Sequence, residues 1–498
     1  MKRKNKKLEK GITLIALIIT IIILLILAGV TITMITGDNG ILKQATNARE
    51  TNTKAELEEQ VKLAVMASKV NDTASINIEI LEDEINKICG TTITKSADDK
   101  LPWTVKKGSY EVTITEDGTI TTNTTGKDDG KKDEPVVESE VMKQAKAAKP
   151  EGSTIDPNTN EDTGIVMIDS NGNEWVWVEV PSTVFTNAKN STDYDNIKTD
   201  LITYAKDYRS SYTDEWYAKD GSTLVTASTE GLTDVQKALN NGCGLTYAEY
   251  TTKYQTMLSS IYTNKGFYIG RYEAGIEGSD TDTSLARYSR TGITSGLPKA
   301  VSKKDMIPYN FVTCSDAQQL ANGMSTGNKT SSLLFGIQWD LVCKFLEVKG
   351  NWDTTTNTAQ YYIKSNSSSW GNYKNSSVTL ARGKYNISPN SPPSSPSTWT
   401  PFSTDTENYV TSNKTNSSTS YKLLLTTGAS EETNKMNIYD FAGNEYEWTL
   451  EKTTDTDNSC SFRGGSFNIS GNDNPAIREG ATTAAAYSCV YGFRSSLY

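Results

Sequence analysis

The chain has 498 residues, a net charge of −10 and no histidine. Without histidine, Ser-His-Asp and Cys-His catalysis, zincin-type sites and His-ligated haem, copper or non-haem iron are excluded. The acidic balance argues against a nucleic-acid partner, and the length implies two or three structural units. Tyr, at 25, far exceeds Phe, at 10, a composition that suits a Thr- and Tyr-rich β surface in water.

Residues 1–11, MKRKNKKLEKG, carry six basic side chains against the single Glu9. The uncharged run 12–36 that follows exceeds the roughly 20 residues a membrane-spanning helix needs. Its basic flank predicts a single-pass protein of the cell membrane, with the N-terminus cytoplasmic and the C-terminal domain extracellular. Gly11 precedes the apolar run in Lys10-Gly11-Ile12-Thr13-Leu14-Ile15. That order is similar to the leader of type IV prepilins and pseudopilins. The resemblance implies a prepilin peptidase as partner, cleavage between Gly11 and Ile12, and retention of the helix. The family's usual Glu at the fifth mature position is Ala16 here, which bears on filament assembly, and an uncleaved anchor is the alternative.

Residues 37–123 read as a pilin-like helix with a small sheet. Asp38 or Asn39 caps the helix, and Ile41, Leu42, Ala45, Ala48, Ala55, Val61, Leu63, Ala64 and Val65 form an apolar stripe. The alternation Ile76-Asn77-Ile78-Glu79-Ile80 predicts a strand. Glu111-Val112-Thr113-Ile114 and Thr119-Ile120-Thr121 predict two more, around the turn Glu116-Asp117-Gly118. Residues 124–162 have the charged, turn-rich composition of a linker, with a short helix over about 137–148.

From residue 163 to 498 the chain reads as one large domain. Strand, tight turn and strand are predicted over 164–180, around Asn171-Gly172-Asn173. Another strand follows over 266–273, then helices over 314–321 and 335–347. Several segments, in order over about 230 residues, together resemble the sulfatase-modifying-factor family, which includes the formylglycine-generating enzyme. They are Gly266-Phe267-Tyr268-Ile269-Gly270-Arg271-Tyr272-Glu273, Leu334-Phe335-Gly336-Ile337-Gln338-Trp339-Asp340, Ser369-Trp370-Gly371-Asn372, Asn437-Ile438-Tyr439-Asp440-Phe441-Ala442-Gly443-Asn444-Glu445-Tyr446-Glu447-Trp448, Arg463-Gly464-Gly465-Ser466-Phe467 and Gly492-Phe493-Arg494. The resemblance implies a C-type-lectin-like fold. The fold class expected for the whole chain is therefore α+β: an N-terminal transmembrane, pilin-like long helix with a small sheet, then a large irregular lectin-like domain.

The same resemblance argues against the family's chemistry. Its oxygen-activating branch places two cysteines where Ile469 and Asn474 stand here, and its sulfoxide-forming branch needs a His-bound iron. The expectation is a non-enzymatic binding or adhesion protein that requires no cofactor. A surface enzyme with an altered site, or a minor pseudopilin of a secretion system, is the alternative. Relatives bind calcium near the Gly443-Asn444-Glu445-Tyr446-Glu447 segment, which implies a structural calcium on Asn444 and Glu447, with Asp440 a weaker addition. Plain hydrogen bonding is the competing role for these side chains. Trp175, Trp177, Trp339 and Trp448 read as core. Cys460 and Cys489 bracket one segment and form either a bridge or two buried thiols.

Residues 466–491 are rich in Asn, Ser, Thr, Ala, Gly and Tyr, the composition of adaptable binding loops. The ligand, a protein or a glycan, is expected to meet Phe467, Asn468, Asn472, Asp473, Asn474, Arg478, Tyr487 and Tyr491. Among these 26 positions Glu479 is the single Lys, Glu, Gln, Met or Trp, although those types make up 97 of the 498 residues. That bias, and the closing Gly492-Phe493-Arg494-Ser495-Ser496-Leu497-Tyr498, resembles the variable proteins of diversity-generating retroelements. Adenine-directed rewriting of AAY codons never yields those five residue types.

Overall fold

The computed structural model describes residues 57–58, 60–69, 76–88, 91–95, 100–107, 110–116, 118–124, 138–217, 242–287, 298–388, 399–403, 422–455, 458–481 and 488–498. The chain divides into two compact units between Val136 and Val137. The described residues are mixed α and β, with five sheets.

The expected architecture, opened by a long membrane-crossing N-terminal helix, is corrected. Among the described residues no helix is long and apolar enough to cross a membrane. The single-pass localisation is corrected with that helix. The run 12–36 and the processing residues Gly11 and Ile12 lie outside the described residues.

In the first unit, helical backbone over 60–68 buries Val61, Ala64 and Val65, at the spacing of one helix face. Leu63, expected in that stripe, is 58% exposed on the opposite side. The segment 76–80, expected as a strand, instead opens the helix Ile78–Asn86. Asn77 decides this: its side-chain oxygen accepts from the Glu79 and Ile80 amides, an N-cap that alternation alone does not reveal. Leu81 and Ile85, four apart, are the residues the helix buries. A four-stranded antiparallel sheet follows, of Thr92–Thr94, Trp103–Lys107, Tyr110–Ile114 and Ile120–Thr124 in that order. Trp103, Val105, Val112 and Ile114 are its buried positions. The hairpin around 115–119 falls where the turn residues placed it.

The second unit begins inside the stretch read as a linker. The helix Glu140–Ala148, capped by Ser139, is held where the Tyr268 hydroxyl donates to the Ala145 carbonyl at 2.7 Å. Thr154–Ile155 pairs with Val166–Ile168. The linker assignment therefore fails from residue 138 onward.

The unit's first sheet has six strands in the order Ser331–Leu333, Ser495–Leu497, Gly266–Gly270, Glu174–Glu179, Val166–Ile168, Thr154–Ile155. All its pairings are antiparallel. The turn into Glu174–Glu179 is built by Asp169, whose carboxylate accepts from the Asn171 and Asn173 amides and from Trp175 Nε1. A second sheet runs Glu479–Ala481, Cys460–Arg463, Tyr446–Thr453, Tyr491–Phe493, the last pair parallel, with Thr213–Asp214 on the far end of Tyr446–Thr453. Only Arg494 separates Tyr491–Phe493 from Ser495–Leu497, so the last residues pass from one sheet directly into the other.

The helices Cys314–Asn322 and Gly336–Lys349 stand where the sequence placed them. Trp175, Trp177, Trp339 and Trp448 are core, each at most 2% exposed. Cys460 is a buried thiol beside the Cys314 thiol, and the Cys460–Cys489 bridge is not formed.

Candidate functional site

The segments that carry the family resemblance meet in two buried polar networks. In the first, Asn444 sits at a φ of 60° on a tight turn. Its Nδ2 donates to Glu273 Oε2 at 2.8 Å, and its Oδ1 accepts from Asn372 Nδ2 at 2.8 Å and from the Leu425 amide at 3.0 Å. Glu273 Oε1 accepts from the Glu445 amide at 3.1 Å. Arg494, at the point where the chain changes sheets, donates to both oxygens of Glu447, to the Gly270 carbonyl at 2.9 Å and to the Tyr439 carbonyl at 2.8 Å. One guanidinium thus ties both sheets together.

The side chains expected to hold calcium have protein partners in this structure. The Asn444 oxygen already has two protein donors, and the Glu447 carboxylate is closed by Arg494. Asp440 accepts from the Gly428 amide and the Thr433 hydroxyl. Hydrogen bonding is the role these side chains perform. Among the described residues no group of three or more Cys, Asp or Glu is arranged to hold a metal ion.

The first network is also short of positive charge. Glu273, Asp440, Glu445 and Glu447 are each at most 1% exposed. Burial raises the pKa of all four. For Glu273 the neighbouring Asp440, Glu445 and Glu447 add to the rise, and Arg494 only partly opposes it.

In the second network Asp340 and Glu451 receive Arg209, Arg463 and Arg478. Arg463 lies 3.2 Å from each carboxylate, Arg478 Nε lies 3.0 Å from Glu451, and Arg478 also bonds Asp340. Arg209 approaches Asp340 at 3.4 Å. Burial pushes the Glu451 carboxyl up, but Arg478, Arg463 and Arg209 outweigh it and hold it at about 2.

The residues expected to bind ligand separate into two groups. Phe467 is core, at 1% exposure. Arg478 belongs to the second network and also donates to the Tyr208 carbonyl. Asn474 is buried in a turn, its Nδ2 donating to the Asn472 carbonyl and its Oδ1 accepting from the Ala476 amide. These three are corrected from ligand contacts to framework. Tyr487 lies outside the described residues. Asn472 is exposed, and Asn468, Asp473 and Tyr491 are half-buried.

Of the second group, Asp473 and Tyr491 meet Glu479, Tyr446 and Trp448 in a small acidic and aromatic patch. Tyr491 stacks on Tyr446 at 5.8 Å and on Trp448 at 5.1 Å between ring centres. Glu479 lies beside Tyr446, and its pKa is raised by burial and then by the charge of Asp473. Asp473 is itself raised by burial, with Lys374 opposing. Gly465 supports the patch from below. Its φ is +79°, and a β-carbon there would lie 2.1 Å from the Asp473 carbonyl oxygen, so only glycine lets that turn close.

A cleft elsewhere in the unit was not anticipated. A cleft of about 550 Å³ runs beside the helix Tyr247–Asn264, walled by Tyr194, Trp216, Tyr247 and Tyr254. The signal was present in the chain, because Tyr247, Tyr250 and Tyr254 recur at i, i+3 and i+7.

No family model matches this chain, and no curated protein matches it. Among solved structures it is similar to one described as the crystal structure of CarF, at 14% sequence identity, over 47% of this chain and 86% of that chain, with a TM-score of 0.26. A likeness of that size carries no argument about fold or function.

Proposed function

We propose that the second unit is a binding head, built on a framework like that of the sulfatase-modifying-factor family and without its chemistry. The observation that carries this reading is what stands in the register of the family's two cysteines. Ile469 packs against the core, and Asn474 is consumed by its turn. The absence of histidine leaves a sulfoxide-type iron site without its ligands. Support for the framework comes from the way the resembling segments converge: Glu273, Asn372, Asn444, Glu447 and Arg494 in one network, Asp340 and Arg463 in the other.

The recognition surface is the patch of Asn468, Asn472, Asp473, Glu479 and Tyr491, and its ligand is a protein or a glycan. Tyrosine contributes area at low entropic cost, and the Asn and Asp groups orient the partner. Retroelement diversification remains part of this reading. Because Phe467, Asn474 and Arg478 are framework, functional variation belongs at the outward positions of the segment.

The full chain, presented to protein and glycan arrays, tests the reading. Binding that Asp473→Lys abolishes, with the melting temperature unchanged, is the expected result. Binding indifferent to both Asp473→Lys and Tyr491→Ala removes the patch from consideration. Conversion of a sulfatase-derived Cys peptide to formylglycine overturns the non-catalytic reading itself.

A further inference from the structure

Three cysteines from segments far apart in the chain gather inside the second unit. Cys243, Cys314 and Cys460 are each 0% exposed. Cys314 opens the helix Cys314–Asn322, which Thr313 caps, and Cys460 opens the strand Cys460–Arg463. The sheet register brings these two to one place. Phe462 stands opposite Trp448 and packs its ring edge-on against the indole. Trp448 Nε1 donates to the Val312 carbonyl at 3.0 Å. The start of the helix therefore lies on the face of the sheet where Trp448 and Phe462 meet. Cys460, two positions from Phe462, shares that face.

Thr449 joins the two elements. Cys314 Sγ lies 3.8 Å from the Thr449 carbonyl oxygen, and the Thr449 hydroxyl donates to the Ser461 carbonyl at 3.3 Å. The Cys314 and Cys460 thiols end within hydrogen-bonding reach of each other. Cys243 stands on the other side of Cys314. The Gly244 that follows it has a φ of +77°, and a β-carbon there would lie 3.0 Å from Ser315 Cα. The 243–244 backbone thus rests on the first turn of the same helix. Among the described residues no group of this kind is arranged to hold a metal ion. The chemistry that two adjacent thiols share is oxidation to a disulfide.

We propose that Cys314 and Cys460 form a redox-controlled disulfide that ties the helix Cys314–Asn322 to the sheet carrying Tyr446, Trp448 and Tyr491. The oxidant is a low-molecular-weight disulfide. One protein thiol loses its proton, and its sulfur attacks the reagent, expelling one thiolate and leaving a mixed disulfide. The second protein thiol loses its proton, attacks the first sulfur and expels the other thiolate. The protein gives up two protons and two electrons, and the reagent is reduced to two thiols. The hydrogen bond with Cys460, and then burial, push the Cys314 pKa up, so the bond forms while the chain folds or when this end of the helix opens. Linking positions so far apart in sequence takes freedom from the unfolded chain and stabilises the folded one. The site stands whether or not the acidic patch binds anything.

The test refolds the full chain from urea in buffers of reduced and oxidised glutathione, so that access to the buried thiols does not limit the reaction. Free thiols are alkylated in denaturant, and linked peptides are mapped by mass spectrometry. The expected result in the oxidised buffer is a Cys314–Cys460 peptide in most of the protein, with Cys343 and Cys489 alkylated. Dithiothreitol should release that link and lower the melting midpoint, read by tryptophan fluorescence, by about 5 °C or more. Cys460→Ser should abolish both the link and the effect of dithiothreitol, whereas Cys243→Ser should keep both. Mapping of the unaltered chain and of Cys243→Ser decides the case in which Cys460→Ser fails to fold. Alkylation of Cys314 and Cys460 at every glutathione ratio overturns the proposal. So does a Cys243–Cys314 bond in its place, or a Cys314–Cys460 bond whose reduction leaves the midpoint unchanged.

Discussion

The two buried networks of the second unit use the same kinds of side chain in opposite proportion. Around Asp340 and Glu451 three arginines face two carboxylates; they hold Glu451 well below its usual range and oppose, without overcoming, the rise that burial gives Asp340. Around Arg494 one arginine faces Glu447, with Glu273, Asp440 and Glu445 close behind it, and the carboxyls are pushed toward the neutral form. A buried charge is tolerated when it is paired and fully hydrogen-bonded, and otherwise it neutralises. Glu445 illustrates the second outcome. Its carboxyl is buried against Gly492, where a β-carbon would lie 2.1 Å from Oε2. The Asn310 amide is the one neighbour that lowers its pKa.

The sharpest way to break this contrast is to remove the single arginine of the acidic network. Arg494→Met takes away the partner of Glu447 and the donors to the Gly270 and Tyr439 carbonyls. A loss of about 3–5 kcal/mol is expected, the usual cost of breaking a buried ion pair. Urea unfolding followed by tryptophan fluorescence measures it. The loss should be smaller at pH 5 than at pH 8, because protonation of Glu447 relieves the orphaned charge. Arg478→Met makes the matched change in the other network, and Arg463 and Arg209 still face Asp340 and Glu451. About 1–3 kcal/mol is expected there, the cost of unmade buried hydrogen bonds. If the Arg478 change costs more than the Arg494 change, the contrast is wrong.

Glu451 of the arginine-rich network and the carboxyls of the acidic network give stability pH dependences of opposite sign. Glu451 is depressed to about 2. Its contribution is complete above the unfolded carboxylate value near 4.3 and is lost as the pH falls toward 2. Glu273 and Glu445 are raised, so the folded state holds protons that the unfolded chain has released. Their contribution is complete below about pH 4.3 and declines as the pH rises through their folded values. Stability should therefore peak in the mildly acid range and fall on either side. Glu445→Gln should flatten the alkaline decline and raise stability at pH 8, by on the order of 1 kcal/mol. An unchanged alkaline limb in that variant shows that Glu445 is ionised.

Much of the second unit was legible because its elements carry local signals. The turn around Asp169 and Gly172, the strand Gly266–Gly270 and the helices Cys314–Asn322 and Gly336–Lys349 each follow from periodicity or turn chemistry. The helix Ile78–Asn86 was misread because Ile-Asn-Ile-Glu-Ile alternates, and the alternation hides a cap. The ligand segment 466–491 was misread in part for a different reason. Its small polar composition is shared by adaptable loops and by tight framework turns such as the one Asn474 closes. Nor does sequence show that Arg478 reaches Asp340, 138 positions away. Pairings of that kind depend on topology, which no local pattern encodes.

The smallest expected effect completes the comparison at the surface. Asp473, like the buried carboxyls, is raised by burial, but it stays half-open to water and has Lys374 nearby. Solvent screens both influences. Asp473→Asn keeps the shape and removes the charge, so unfolding free energy should change by no more than about 0.5 kcal/mol, the range of ordinary surface substitutions. Its pH profile should match that of the unaltered chain. Ligand binding at the patch should still fall, because the lost carboxylate is half-open to water and lies near Tyr446 and Glu479. A stability loss above 1 kcal/mol, read by the same urea titration, would make Asp473 framework like Asn474. The patch would then have no charged residue of its own from the segment except Glu479.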